Sequence, residues 1–261
     1  MTKRILYVSS FNNLLYDVSG KKLLDSMTKY NIFQNADILI GYEGFTFDGN
    51  NSSILQFDVM QYKFMTEWLE KFKHVIPTAF GGTCVHSKDK LNQKVYKYWN
   101  KKASLWFRKV ATLHYAYVNF KDKYDYIVWI DCDAYFIKCV PEGLYDSIFK
   151  NFDMFYHMGL YREQVDYGYE TGLVGFNKKG FLVLEGVFRC YENGKFQEFR
   201  RWDDGYVFKM VTRALIGHIR AHDMVTEDIK GKRLDAINKG AFKDYVVHEK
   251  GIHKKLPGLG D

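Results

Sequence analysis

The chain has 261 residues, 47% hydrophobic and 18% aromatic, and its 38 Lys and Arg exceed 31 Asp and Glu to give a formal net charge of +7. That apolar content is ample for a packed core, and with three prolines, no low-complexity stretch and no fixed-period repeat it excludes a disordered or solenoid chain. No apolar run approaches the roughly 18 residues of a membrane span, the four apolar residues from Ile5 to Val8 are too few for a signal-peptide core, and Cys84, Cys132, Cys139 and Cys190 have neither metal-ligand spacing nor disulfide density.

In chain order, Ile5 to Ser9 has the β-branched and aromatic character of a first strand, with a polar loop expected at Ser10-Phe11-Asn12-Asn13. Ser19-Gly20-Lys21-Lys22 leads into the helix-period stripe Leu23, Leu24 and Met27, and Ala36 to Tyr42 reads as the second strand. Phe57, Met60, Phe64, Trp68, Leu69 and Phe72 recur at spacings of three and four, which predicts an amphipathic helix over Gln56 to Phe72. A further helix is expected over Ala103 to Phe120, with Trp106, Val110, Leu113, Tyr117 and Val118 facing inward. Then comes Tyr124 to Asp133, an apolar run that ends in two acids one residue apart, followed by the short strand Ala134 to Ile137. Strands separated by helices imply crossovers and a largely parallel sheet in this half. Beyond residue 150, Asp153 to His157, Gly172 to Asn177 and Val246 to His248 are strand-like, with helices near Lys179 to Tyr191 and from Asp204 to Thr212.

Two patterns carry chemistry. Ile127-Val128-Trp129-Ile130 reads as a strand buried on both faces, so Asp131 and Asp133 stand at its carboxyl end, where open α/β sheets bind ligands. Two hard oxygen donors there suit a Mg²⁺ or Mn²⁺ that also holds substrate phosphates, although two acids can equally end a strand in a solvated turn. Near the other end, His248, Gly251 and Lys254 form H-x-x-G-x-x-K. An imidazole can ligate Mn²⁺, a glycine lets backbone N–H groups approach a diphosphate, and an ammonium neutralises the charge that grows on a departing one. The excess of basic charge draws the protein toward an anionic partner without naming it.

With D-x-D at Asp131 to Asp133 and H-x-x-G-x-x-K at His248 to Lys254, the chain resembles the GT-A class of nucleotide-sugar glycosyltransferases. Within it, the chain is similar to the retaining enzymes of the glycogenin and bacterial lipooligosaccharide galactosyltransferase type. Glu170 to Asn177 (E-T-G-L-V-G-F-N) looks like the N-A-G-V-x-x-F-N segment of that family, and Trp202 to Phe208 like its D-Q-D segment; both border the donor sugar there. Glu170 stands where the family has Asn, Asp203-Asp204-Gly205 is not D-Q-D, and Lys255-Leu256 replaces the Pro-Trp that often follows the last lysine. The chain more closely resembles phage-encoded glycosyltransferase-like proteins with E-T-G-x-x-G-[FY]-N and W-x-D-x-Y-V-F. The resemblance implies an α/β fold of GT-A type, a single Rossmann-like domain with a mixed, mainly parallel central sheet flanked by helices. Residues 1–133 would form the nucleotide-sugar half, 134–245 the acceptor half and 246–261 a metal and diphosphate clamp.

It further implies a Mn²⁺- or Mg²⁺-dependent transferase that moves a sugar from a nucleoside diphosphate sugar, UDP-sugar favoured, to an acceptor hydroxyl with retention. Asp133 and His248 are the expected metal ligands, with Asp131 binding the metal or the nucleotide ribose, and Gly251 and Lys254 at the diphosphate. Val8, Ser9, Ser10 and Asn12, with Tyr16 nearby, are placed by position along the wall of a base pocket. Arg108 and Lys109 are candidates for donor contacts, or ordinary helix-surface charge. Glu170, Asp203 and Asp204 are the choices for the anomeric centre or acceptor hydroxyl, and either aspartate could instead cap a helix. The expected location is a cytosol, that of the host if the chain is phage-encoded. A hydroxymethylated base in DNA, such as 5-hydroxymethylcytosine, joins the basic charge to the phage likeness as an acceptor, with Lys88 to Lys102 and Arg200-Arg201 as phosphate contacts. An envelope glycan, lipid-linked sugar or protein hydroxyl is the alternative acceptor. A nucleotidyltransferase, which wants a glycine-rich basic loop where Phe11 to Gly20 stands, and a non-enzymatic basic nucleic-acid-binding protein are the rival functions.

Overall fold

The computed structural model describes residues 4–45, 47, 51–74, 103–141, 143–159, 163, 166–225 and 236–249. The first strand, β1 (Ile5–Asn12), alternates Leu6 and Val8 toward one face with Tyr7 and Phe11 toward the other, and all four are buried. It pairs in parallel with β2 (Ala36–Glu43) on one side and with β4 (Tyr126–Ile130) on the other. Ile127, Val128 and Ile130 have no exposed surface, each stabilised by roughly 1.5–3 kcal/mol relative to exposure, which accounts for an apolar run without alternation.

The remaining strands are β3 (Ile54–Asp58), β6 (Met154–His157), β7 (Glu170–Asn177) and β8 (Ala221–Asp223), and the seven-stranded order is β3-β2-β1-β4-β7-β6-β8. Four of the neighbouring pairs run parallel, while β4–β7 and β6–β7 run antiparallel. Helices α1 (Lys21–Lys29) and α4 (Gly143–Asn151) cover one face; α2 (Lys63–Phe72), α3 (Ala103–Phe120), α5 (Phe181–Glu192) and α6 (Asp204–Ala214) cover the other. This is the mixed, mainly parallel sheet flanked by helices that the resemblance implies. A separate two-stranded ribbon joins β5 (Ala134–Phe136) to β9 (Val246–His248), antiparallel.

The topology fixes where the strand order reverses. From β1 the chain crosses by α1 to β2, and from β3 it returns by α2 and α3 on the opposite face to β4. The order therefore reverses between β1 and β4, and such a switch point opens a crevice outside the carboxyl ends of its strands.

Several local expectations change. Ser10 to Asn12 is the end of β1 and not a loop; the Asn12 carboxamide accepts from Leu15 N–H at 2.9 Å and starts the helical turn there. Gln56 to Phe72 divides into β3, a short turn and α2, because Asp58 accepts from Met60 N–H at 2.9 Å and ends the strand. Phe57 still reaches the core, stacked on Tyr115, so apolar spacing alone did not reveal the break. Val118 is 52% exposed: five residues past Leu113 lies about 140° around the helix, off the buried stripe. The strand expected at Gly172 begins two residues earlier, at Glu170.

Candidate metal centre

Asp131 emerges from β4 into a tight turn in which its N–H bonds to Gly172 O at 2.7 Å and its carbonyl accepts from Ala134 N–H at 2.9 Å. That turn directs the chain into β5. In the β5–β9 ribbon Ala134 pairs with His248, and Glu249 N–H closes the end on Asp133 O at 3.0 Å. Asn238 holds His248 by both backbone groups, accepting from its N–H at 2.9 Å and donating to its carbonyl at 3.0 Å. Two chain segments more than a hundred residues apart are thereby fixed side by side.

The result is a cluster in which one ligand atom from each of Asp131, Asp133 and His248 lies within 4.8 Å of the others. His248 Nε2 is 3.1 Å from Asp133 Oδ1 and 3.8 Å from Asp131 Oδ2. Asp133 and His248 are buried, and Asp131 is partly exposed. The imidazole fits against β7 only because residue 172 is glycine: a Cβ there would lie 2.7 Å from His248 Cε1 and 3.1 Å from Nε2. Two carboxylates and an imidazole are an oxygen-rich donor set that fits Mn²⁺ or Mg²⁺ better than a thiolate-seeking ion.

Asp131 is a divided carboxylate. Its Oδ2 faces the imidazole, whereas Oδ1 accepts from Trp129 Nε1–H at 2.6 Å and pairs with Lys109 Nζ at 2.9 Å. Lys109 extends from α3 and also meets Asp204 Oδ2 at 3.1 Å and the Thr171 carbonyl at 3.0 Å. Thr171 Oγ1 in turn donates to Asp204 Oδ2 at 2.6 Å. Burial pulls the Lys109 ammonium down, but Asp131 and Asp204 together hold its pKa above the ordinary lysine value. For Asp204 burial prevails: its pKa is raised although Lys109 and Thr171 oppose the shift. A hydrogen-bonded chain thus runs from the Asp131–Asp133–His248 cluster to the start of α6.

No family model and no curated protein matches the chain. Among solved structures it is similar to mouse xyloside xylosyltransferase 1, with 10% identity over 84% of each chain and a TM-score of 0.49. It is similar to the WbbM bifunctional glycosyltransferase, with 12% identity, a TM-score of 0.49, and 86% of this chain against 39% of that one. A glycosyltransferase involved in glycosylation of the major capsid of PBCV-1 matches over 95% of each chain at 12% identity and a TM-score of 0.45. At these scores the functional reading is carried by the geometry of the site.

The other expected residues fall in distinct places. Val8 and Ser9 are buried within β1, Val8 opposite Trp129, while Ser10 and Asn12 are partly exposed at its carboxyl end beside the β4 terminus. Arg108 turns the other way from Lys109, its Nε 2.9 Å from Glu43 at the end of β2. Burial lifts the Glu43 carboxyl above its ordinary value, against Arg108. Glu170 is buried at the start of β7. Asp203 caps α6, accepting from Tyr206 N–H at 3.2 Å and from Arg201 Nε–H at 2.7 Å. Arg200 lies 3.6 Å from Asp166, so both members of the expected phosphate-contacting pair face acids. Gly251, Lys254 and Lys88 to Lys102 lie outside the described residues. Trp129, Thr171 and Asn238 join the site without having been singled out. A single indole N–H two residues before an acid was the one available signal for Trp129; nothing local pairs Asn238 with His248.

Proposed function

We propose that the protein is a divalent-metal-dependent glycosyltransferase that uses a nucleoside diphosphate sugar. The observation that carries this reading is the Asp131–Asp133–His248 cluster at the switch point between β1 and β4. In the reaction the bond from the anomeric carbon to the diphosphate oxygen breaks, a bond to the acceptor oxygen forms, and the hydroxyl proton passes to an oxygen of the leaving diphosphate. A nucleoside diphosphate leaves. Asp133, His248 and Asp131 Oδ2 are the groups to hold Mn²⁺ or Mg²⁺, which when bound supplies Lewis-acid neutralisation of the leaving diphosphate. The ends of β1 and β2 offer a wall for the nucleoside, and Gly251 and Lys254 are assigned to the diphosphate by the H-x-x-G-x-x-K pattern. Lys109 fixes the orientation of Asp131 while linking it to Asp204. Of the three candidate acids, Asp204 and Glu170 are assigned to the reacting centre, since Asp203 is engaged as a helix cap.

UDP as the nucleotide and retention as the outcome follow from the resemblance. For the acceptor, a hydroxymethylated base in DNA agrees with the net charge of +7, and a glycan hydroxyl is the other class. The deciding measurement is release of nucleoside diphosphate from a panel of nucleotide sugars with and without Mn²⁺. Wild-type release is expected only with metal, and Asp133→Ala is expected to abolish it. Metal-independent release, or release unaffected by Asp133→Ala, refutes the assignment. Product anomers read by NMR test retention.

A further inference from the structure

Trp129 and Asp131 stand two residues apart at the carboxyl end of β4, and the strand's period of two sends both side chains to the face that α3 covers. Trp129 is only 2% exposed, and an indole offers one N–H donor and no acceptor. Left unpaired there, that donor would carry the desolvation penalty of a buried polar group, so the Asp131 carboxylate turns to meet it. Oδ1 accepts the indole N–H at 2.6 Å and faces the Lys109 ammonium at 2.9 Å. The same ammonium lies 4.9 Å from the centre of the Trp129 ring, a cation–π approach that ties the two donors to each other. Nor can Lys109 follow a turning carboxylate, since its Nζ also bonds to the Thr171 carbonyl at 3.0 Å and meets Asp204 Oδ2 at 3.1 Å.

This division of the carboxylate matters to an ion. Oδ2 is the oxygen turned toward the cluster, 3.8 Å from His248 Nε2. For both oxygens of Asp131 to reach one ion, the carboxylate must let go of the indole and the ammonium, leaving a buried donor and a buried cation each short of a partner. Ca²⁺ gathers more oxygens than Mg²⁺ and commonly takes two of them from a single carboxylate, whereas Mg²⁺ demands near-octahedral geometry with fewer ligands. Mn²⁺ also suits octahedral oxygen sites. A carboxylate held to one available oxygen therefore penalises the larger ion and leaves the smaller ones unaffected.

We propose that Trp129 is a positioning residue that reserves Asp131 Oδ1 for itself and Lys109, so that Asp131 offers an ion one oxygen and the centre selects Mn²⁺ and Mg²⁺ over Ca²⁺. The assignment rests on the proposed metal-dependent function and adds the ion selectivity of its centre. Binding of Mn²⁺ to the intact chain is followed by electron paramagnetic resonance of the free ion, with Ca²⁺ as competitor. Wild type is expected to prefer Mn²⁺, and Trp129→Phe, which keeps an aromatic ring and removes the N–H, is expected to narrow that preference roughly tenfold. A merely structural tryptophan would instead weaken both ions in parallel. Parallel weakening, an unchanged preference in the folded variant, or equal affinity of the wild type for the two ions overturns the role. A second measurement needs no variant: the Trp129 indole N–H resonance of the wild type should keep its downfield, hydrogen-bonded position when Mg²⁺ binds. An upfield move on binding shows that Oδ1 has left the indole, and it overturns the role as well. A wild type that binds neither Mn²⁺ nor Mg²⁺ refutes the metal centre itself and this role with it, whereas one that binds Mn²⁺ and Ca²⁺ alike refutes the role of Trp129 alone.

Discussion

Gly172 shows how one missing side chain positions a ligand atom. His248 packs over this residue so closely that a methyl group would meet both Cε1 and Nε2 of the ring. Gly172→Ala therefore forces the imidazole away from Asp133, and its neighbour Ile237, 2.8 Å from the same position, blocks a compensating shift on that side. Mn²⁺ affinity measured by calorimetry is expected to fall at least about tenfold, with an overpacking cost of roughly 1–3 kcal/mol in urea unfolding. Unchanged affinity in a folded variant would sink this account of the seat. The glycine was legible as part of E-T-G-L-V-G-F-N, but its purpose was not, because the atom it accommodates belongs to β9. Lys109 is comparable: its sequence position suggested a donor contact, while the structure joins it to Asp131 and Asp204.

At the scale of elements, the start of α6 separates two adjacent aspartates by task. Asp203 accepts from the helix N–H at Tyr206, and Asp204 turns inward to Lys109. Because Asn caps as well as Asp, Asp203→Asn should retain sugar transfer while losing the stability of the buried pair with Arg201, and Asp203→Ala, which removes the cap as well, should cost about 1 kcal/mol more. Asp204→Asn should instead lose transfer, so equal activity losses in the two Asn variants would reject the division. Asp153 ties the edge strand, accepting from Arg220 N–H at 2.8 Å. Burial alone would raise its pKa, but bonds from Arg220 and Asn177 outweigh it and lower the value below 3.8. A carboxylate with a depressed folded pKa stabilises above its unfolded value and loses that contribution as pH falls through the folded one. Urea midpoints from neutral pH to below the carboxylate range should therefore drop less steeply for Asp153→Asn than for wild type. The long amphipathic helices and the buried β4 were readable because periodicity and burial coincide in them. By contrast, β8 has three residues and no fully buried one, and β3 hides in a spacing shared with α2. Their pairing is decided by distant strands.

Across the whole molecule, the candidate centre exists only when β4, β7 and the β5–β9 ribbon are assembled around the reversal between β1 and β4. Asp131 and Asp133 could be read as a pair from a strand end, and His248 from a spaced motif, yet the 3.1 Å approach of His248 to Asp133 is a product of topology. A ligand that spans the Asp131–Asp133–His248 cluster and the carboxyl ends of β1 and β2 must then draw on both sides of the switch point. UDP and Mn²⁺ together should stabilise the fold by about 2.7 kcal/mol at a hundredfold excess over Kd, a rise of roughly 5–10 °C in melting temperature. UDP without metal should give much less, since two carboxylates then face the diphosphate without a neutralising ion. In Asp133→Ala the metal-dependent increment should vanish. Equal shifts by UDP with and without Mn²⁺ would detach the nucleotide from the Asp131–Asp133–His248 cluster.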